Sequence, residues 1–208
     1  MGRTLLALAA VVTTLVLAAA CSPSSSAVTS PDIRVATVDG LPVVVGELQR
    51  ELRRSRGAIS ADQALRRIVE IKVQQARMLR EGVIQTADYS SYLGGAEKEN
   101  ARRKAALHKG EAVYGPTELE PDYYFGYRFD TEVVALKERL AARELRPAEA
   151  DLRAFHESVK THLTDFEQNK ERIHALWLDQ EYRALIQAWV RQAEVDIDHE
   201  VLDRIPLQ

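Results

Sequence analysis

Residues 33–45 read IRVATVDGLPVVV, and this stretch decides the fold. Ile33, Val35 and Thr37 alternate with Arg34, Ala36 and Val38, the two-residue period of a strand. Asp39-Gly40 is a tight-turn pair, and Val43-Val44-Val45 follows at once, so a β-hairpin is predicted. Near the other end, residues 194–198 read EVDID and alternate strictly, predicting one more short strand. A strand that short does not stand alone in water. The simplest arrangement pairs Val195 and Ile197 with the hairpin and brings the two ends of the folded part together.

Helices fill the space between. Gly46 opens a short helix from Glu47 to about Arg56, ended by Gly57. Ser60-Ala61-Asp62-Gln63 is a capping box, in which serine and glutamine satisfy each other's free backbone N–H groups. The helix behind it runs to Glu81 and stops at Gly82. Its buried face is Leu65, Ile68, Val69, Val73, Ala76 and Leu79, at three- and four-residue spacing. Asp88 caps a third helix reaching Lys109, weakened near its start by Gly94-Gly95. Asp122 to about Glu144 is one long helix with the stripe Phe125, Phe129, Val133, Leu136 and Leu140. Pro147 begins the next, to about Lys160. Thr164-Asp165-Phe166-Glu167 is a second capping box, opening a last helix to about Ala193. The expected fold is mainly α: a multi-helix domain with N- and C-terminal short β-strands paired in a small sheet.

Composition limits the function classes. The 208 residues carry 28 Lys+Arg against 31 Asp+Glu, a net charge of −3, which argues against a dedicated nucleic-acid binder. One cysteine excludes an internal disulfide framework and any cysteine-rich metal site. No pair of the five histidines has the i, i+4 spacing that puts two ligands on one helical face. Asp196 and Asp198 face solvent beside His199, which makes a poor metal site. No P-loop, Gly-x-Gly-x-x-Gly, Gly-x-Ser-x-Gly or His-Glu-x-x-His occurs. No cofactor or metal is expected, and no motif picks out a catalytic residue.

The apolar residues are unevenly spread. From Leu5 to Ala20 only Thr13 and Thr14 are polar, a run shorter than the ~20 residues of a membrane span. Arg3, the apolar run and Ala18-Ala19-Ala20 have the layout of a secretory signal. They lead straight into Cys21, the only cysteine, and this resembles a bacterial lipoprotein signal, with Ala18 standing where leucine is commonest. That resemblance implies lipidation of Cys21 and an extracytoplasmic protein anchored to a bacterial membrane. The alternative is an ordinary cleaved signal with Cys21 an incidental thiol. Loss of residues 1–20 would remove Arg3 and leave 27 basic against 31 acidic side chains, a balance of −4. Ser22 to Asp32, SPSSSAVTSPD, reads as a flexible tether spanning roughly 18 Å. The expected organisation is a signal over 1–20, a tether over 21–32 and a helical domain over 33–205.

The order of these elements resembles SurA/PrsA-type extracytoplasmic foldases. VATVDGLPVVVGELQREL (35–52) is similar to their opening strand, turn and short helix. The helix from Ala61 to Glu81 with Gly82-Val83 resembles their second helix and its ending. ENARRKAALHKGEAVYG (99–115) and ALKERLAARELRPAEADLRAFHESVK (135–160) resemble a variant found in bacterial lipoproteins near that family. DFEQNKERIHALWLDQEYRALIQAWVRQAEVDID (165–198) resembles their closing helix and strand. In enzymatic members a parvulin peptidyl-prolyl isomerase domain of about 100 residues sits between the last two blocks. Here His162-Leu163-Thr164 joins them directly. The resemblance thus implies a SurA N-terminal-like chaperone domain without isomerase activity, which binds unfolded or secreted polypeptides. Two other readings remain open: a peptidyl-prolyl isomerase, and an interaction module for one fixed envelope partner.

Five of the thirteen aromatic residues fall within seven positions: Tyr123, Tyr124, Phe125, Tyr127 and Phe129. A helix cannot turn all five to one side. Phe125 and Phe129 are assigned to the core. Tyr123, Tyr124 and Tyr127 are candidate client-binding residues, since such rings suit adaptable peptide contacts. Trp177 and Trp189, twelve residues apart on similar faces, are further candidates whose alternative role is packing. Arg53, Arg54 and Arg56, like Arg102, Arg103 and Lys104, read as solvated helix faces or contacts to anionic lipid.

Overall fold

The computed structural model describes residues 30–159 and 163–206. The signal-like residues 1–20, the candidate lipidation site Cys21, most of the tether and His162 lie outside the described residues.

The hairpin forms as β1 (Arg34–Val38) and β2 (Leu41–Val44), turned at Asp39 and Gly40, both with positive φ. The chain end returns as β3 (Val195–Ile197), antiparallel to β1 with Val38 opposite Val195 and Ala36 opposite Ile197. The sheet order is β2-β1-β3, so the first strand is the central one. The alternation in β1 is less regular than the sequence predicts. The register shifts between Arg34 and Ala36, and Val35 and Ala36 are both buried. A bulge of this kind turns consecutive side chains away from solvent.

Seven helices accompany the sheet among the described residues. α1 (Val45–Arg54) starts directly after β2, two residues earlier than expected, because the Glu47 carboxylate accepts the Val44 N–H at 3.1 Å. α2 (Ala61–Arg80) has the predicted capping box: Ser60 accepts from Gln63 N–H, and Gln63 from Ser60 N–H. Gly82, at φ +65, ends it. α3 (Tyr89–His108) follows Asp88, whose side chain makes no cap bond. Gly95 is needed there: a Cβ would meet the Tyr124 hydroxyl at 2.8 Å. α4 spans Pro121–Arg143.

Three details differ from the sequence expectation. α5 (Glu149–Val159) begins after Ala148, whose N–H donates to Asp151, so Pro147 lies just outside the helix. α6 (Phe166–Gln192) is capped one residue later than expected, because the Asp165 carboxylate, not Thr164, takes the Gln168 N–H. Ionised acceptors bind a helix N-terminus more strongly than hydroxyls. A short α7 (His199–Leu202), capped by Asp198, follows β3. Four residues leave too little periodicity to be seen in sequence.

The largest apolar cluster joins the first and last elements of the described residues. Val35, Val38 and Val43 of the sheet meet Leu48 of α1, Ile68 of α2 and Leu202 of α7. A second cluster gathers Met78, Leu136, Leu140 and Tyr182 where α2, α4 and α6 meet. A third, Leu152, Leu163, Phe166 and Ile173, holds α5 against the start of α6. At ~1.5 Å per residue, α6 is long enough to serve all three. No helix among the described residues is long and apolar enough to cross a membrane.

Candidate functional site

α4 divides the aromatic cluster into two groups. Phe125 is buried against Tyr89, Tyr92 and Phe129, with its ring centre 4.8 Å from that of Tyr92. Tyr124 is buried against Gly95, Ala96 and Leu119, and its hydroxyl accepts from Arg128 at 3.3 Å. Tyr123 and Tyr127 point the other way, and each is 59% exposed. They lie four residues apart, one turn along one side of the helix. Val134, also exposed, extends the row.

A cleft of about 400 Å³ runs beside the two exposed tyrosines. Arg54 of α1 and Asp122, Gly126 and Asp130 of α4 complete its lining. Gly126 costs α4 about 1 kcal/mol relative to alanine. A Cβ there would meet nothing within 4 Å, so packing inside the molecule does not require the glycine. Its missing side chain keeps the backbone open between the rings. Arg53 fixes this end of α4 to α1 with two hydrogen bonds to the Asp122 carboxylate, both 3.0 Å. That pairing raises the Arg53 pKa above its ordinary value. The rings therefore stand on a braced helix.

α1 and α2 also hold buried charges that were not among the candidates from sequence. Lys72 of α2 and Glu47 of α1 pair at 2.9 Å, each only 1% exposed. Lys72 also donates to the Ala87 carbonyl at 3.3 Å. Arg50, fully buried, lies 3.5 Å over the Phe125 ring and donates to Glu51. Behind Phe125, Gln75 donates to the Tyr92 hydroxyl, which donates to Glu132 at 2.7 Å. Burial, and then that bond to a carboxylate, push the Tyr92 pKa well up. Lys72 had a visible signal: it falls three and four residues after Val69 and Ile68, on the apolar stripe of α2. Arg50 had none, since its apolar partner Phe125 is far away in sequence.

The tryptophans take other positions. Trp177 is half-buried between the second and third clusters and stacks with His174 at 6.5 Å. Trp189 is half-buried between the first and second, edge-on to Tyr182 at 6.2 Å. Neither adjoins the tyrosine cleft. Of the basic runs, Arg53 pairs with Asp122 and Arg54 lies 3.9 Å from Glu51. Arg102 and Arg103 both bond Glu99, and Arg103 also holds the carbonyls of Tyr114 and Pro116. Among the described residues no group of three or more His, Cys, Asp or Glu could hold a metal ion.

Compared with known protein families, curated proteins and solved structures, the chain finds no match in any of the three.

Proposed function

We propose that this protein is a chaperone-like lipoprotein: anchored to a bacterial membrane through Cys21, outside the cytoplasm, it binds unfolded or exported polypeptides reversibly, without isomerase activity. The exposure of Tyr123 and Tyr127, side by side on the braced helix α4 above an open cleft, carries this reading. Unfolded chains present apolar and aromatic segments that aggregate if left free. Burying two tyrosine rings is worth on the order of 5 kcal/mol gross. Association costs of comparable size leave a weak, short-lived complex, which suits capture and release.

Two further observations support it. The paired terminal strands and the helical order are the arrangement that the resemblance to SurA/PrsA-type foldases implies. Residues 160–165 alone separate α5 from α6, where enzymatic members of that family carry the parvulin domain. The two helices pack together directly: Arg153 pairs with Glu167 at 2.8 Å, and the His156 ring nitrogen bonds the Leu163 carbonyl at 2.6 Å.

Capture from detergent-solubilised membranes with full-length tagged protein tests the reading. Many substoichiometric clients are expected, fewer of them with Tyr123→Ser/Tyr127→Ser. One stoichiometric partner would instead make the protein an interaction module. Acceleration in a protease-coupled proline-peptide assay would make it an isomerase.

A further inference from the structure

A second cleft, of about 610 Å³, lies where the two ends of the fold meet. Asp39 and Leu41 of the hairpin, Arg77, Leu79 and Arg80 of α2, and Trp189 near the end of α6 line it. Leu41, Leu79 and Trp189 are all half-buried, so an apolar surface is partly open there.

The charged groups of this cleft are not equally committed. Asp39 accepts the Glu194 N–H at 3.0 Å, which occupies one carboxylate oxygen inside the fold. Arg77 bonds Glu81 and Glu144 through Nη2, and its guanidinium lies 5.9 Å from the Trp189 ring centre. The Arg77 Nε is buried with no hydrogen-bond partner among the described residues. Arg80 is exposed, and no carboxylate among the described residues pairs with it. An apolar surface beside an uncommitted guanidinium complements an apolar side chain next to a carboxylate.

We infer that this cleft binds peptide segments in which an apolar residue adjoins a carboxylate, with the apolar side chain against Trp189 and Leu79 and the carboxylate on Arg80. The inference rests on the peptide-binding reading above and adds a second, charge-selective site to it. The carboxylate is an Asp or Glu side chain within the segment, since unfolded clients present many internal segments and only one C-terminus each.

The chain has two tryptophans, so Trp177→Phe leaves Trp189 as the sole indole reporter. The full-length Trp177→Phe protein in detergent is titrated with three short peptides. One is amidated and contains Leu-Phe-Glu, one is amidated and contains Leu-Phe-Lys, and one ends in Leu-Phe with a free carboxylate. A saturable change in Trp189 emission is expected with the Leu-Phe-Glu peptide, and affinity for the lysine peptide about tenfold weaker. Tighter binding of the peptide with the free C-terminus than of the Leu-Phe-Glu peptide would overturn the side-chain assignment. Arg80→Glu, an exposed change, should reverse the preference. Should Trp177→Phe unfold the chain, anisotropy of labelled peptides on the parent and Arg80→Glu proteins gives the same comparison. Equal affinity for acidic and basic peptides, no saturable binding, or indifference to Arg80→Glu would overturn the inference. If the same preparation still slows client aggregation while Trp189 stays silent, the cleft inference falls and the chaperone reading stands. If Trp189 responds as expected but aggregation is not slowed, the reverse holds.

Discussion

Asp39 and Glu194, 155 positions apart, hold each other by two hydrogen bonds. The Asp39 N–H donates to the Glu194 carbonyl at 2.9 Å, and the Glu194 N–H donates to the Asp39 carboxylate at 3.0 Å. The hairpin turn is thereby fastened to the end of α6, just before β3. Asp39 also takes a positive φ of 49°, which aspartate and asparagine tolerate better than alanine. Asp39→Ala should therefore cost about 2 kcal/mol in urea unfolding, from a lost acceptor and a less tolerated backbone. Asp39→Asn, which keeps the oxygen, should cost less than half of that.

The Lys72–Glu47 pair predicts a larger effect. Lys72→Met leaves Glu47 charged, buried and without its cation, a change worth about 3–5 kcal/mol. Adding Glu47→Gln removes the unpaired charge and keeps an acceptor for the Val44 N–H, so the double variant should recover most of the loss. The urea midpoints of the two variants, compared with the parent, measure this directly.

Gly126 separates stability from binding. Gly126→Ala should stabilise the protein by about 0.5–1 kcal/mol, since α4 gains helix propensity and the new methyl meets nothing within 4 Å. The same methyl narrows the cleft between Tyr123 and Tyr127, so client binding should weaken. A higher melting temperature with undiminished binding would remove the glycine from the site.

Three buried tyrosines set the alkaline limit. Burial raises the pKa of Tyr89, Tyr92 and Tyr182, and the bond to Glu132 adds to the effect at Tyr92. The folded state holds these protons more tightly than the unfolded chain, whose tyrosines titrate near 10. Their contribution is fully present below pH ~10 and is lost as pH rises through the higher folded values. The melting temperature should fall above that pH. Tyr92→Phe/Tyr182→Phe should flatten the decline, and an unchanged slope would contradict this assignment.

The sheet and the long helices were legible because each depends on local signals: a two-residue period with a turn pair, or an apolar stripe between a cap and a glycine. The Ser60–Gln63 box and Gly82 mark α2 from both sides. Caps competing within one residue were not separable, as Thr164 and Asp165 show. Arg50 sits over Phe125 only because the fold brings these two residues, 75 positions apart, together. No local pattern encodes that approach, so a fully buried arginine reads in sequence as a surface one. The split of the tyrosines was half legible. The count in so few positions required some rings to face outward, but only the packing of Gly95 decided that Tyr124 goes inward while Tyr123 and Tyr127 do not.

Light scattering from an unfolded client, diluted into buffer with and without the full-length protein in detergent, tests the chaperone reading most directly. The parent protein at a few-fold molar excess should slow aggregation markedly, and Tyr123→Ser/Tyr127→Ser should lose most of that effect while unfolding at the same urea concentration. Scattering that rises as fast with the parent protein as without it would contradict the account.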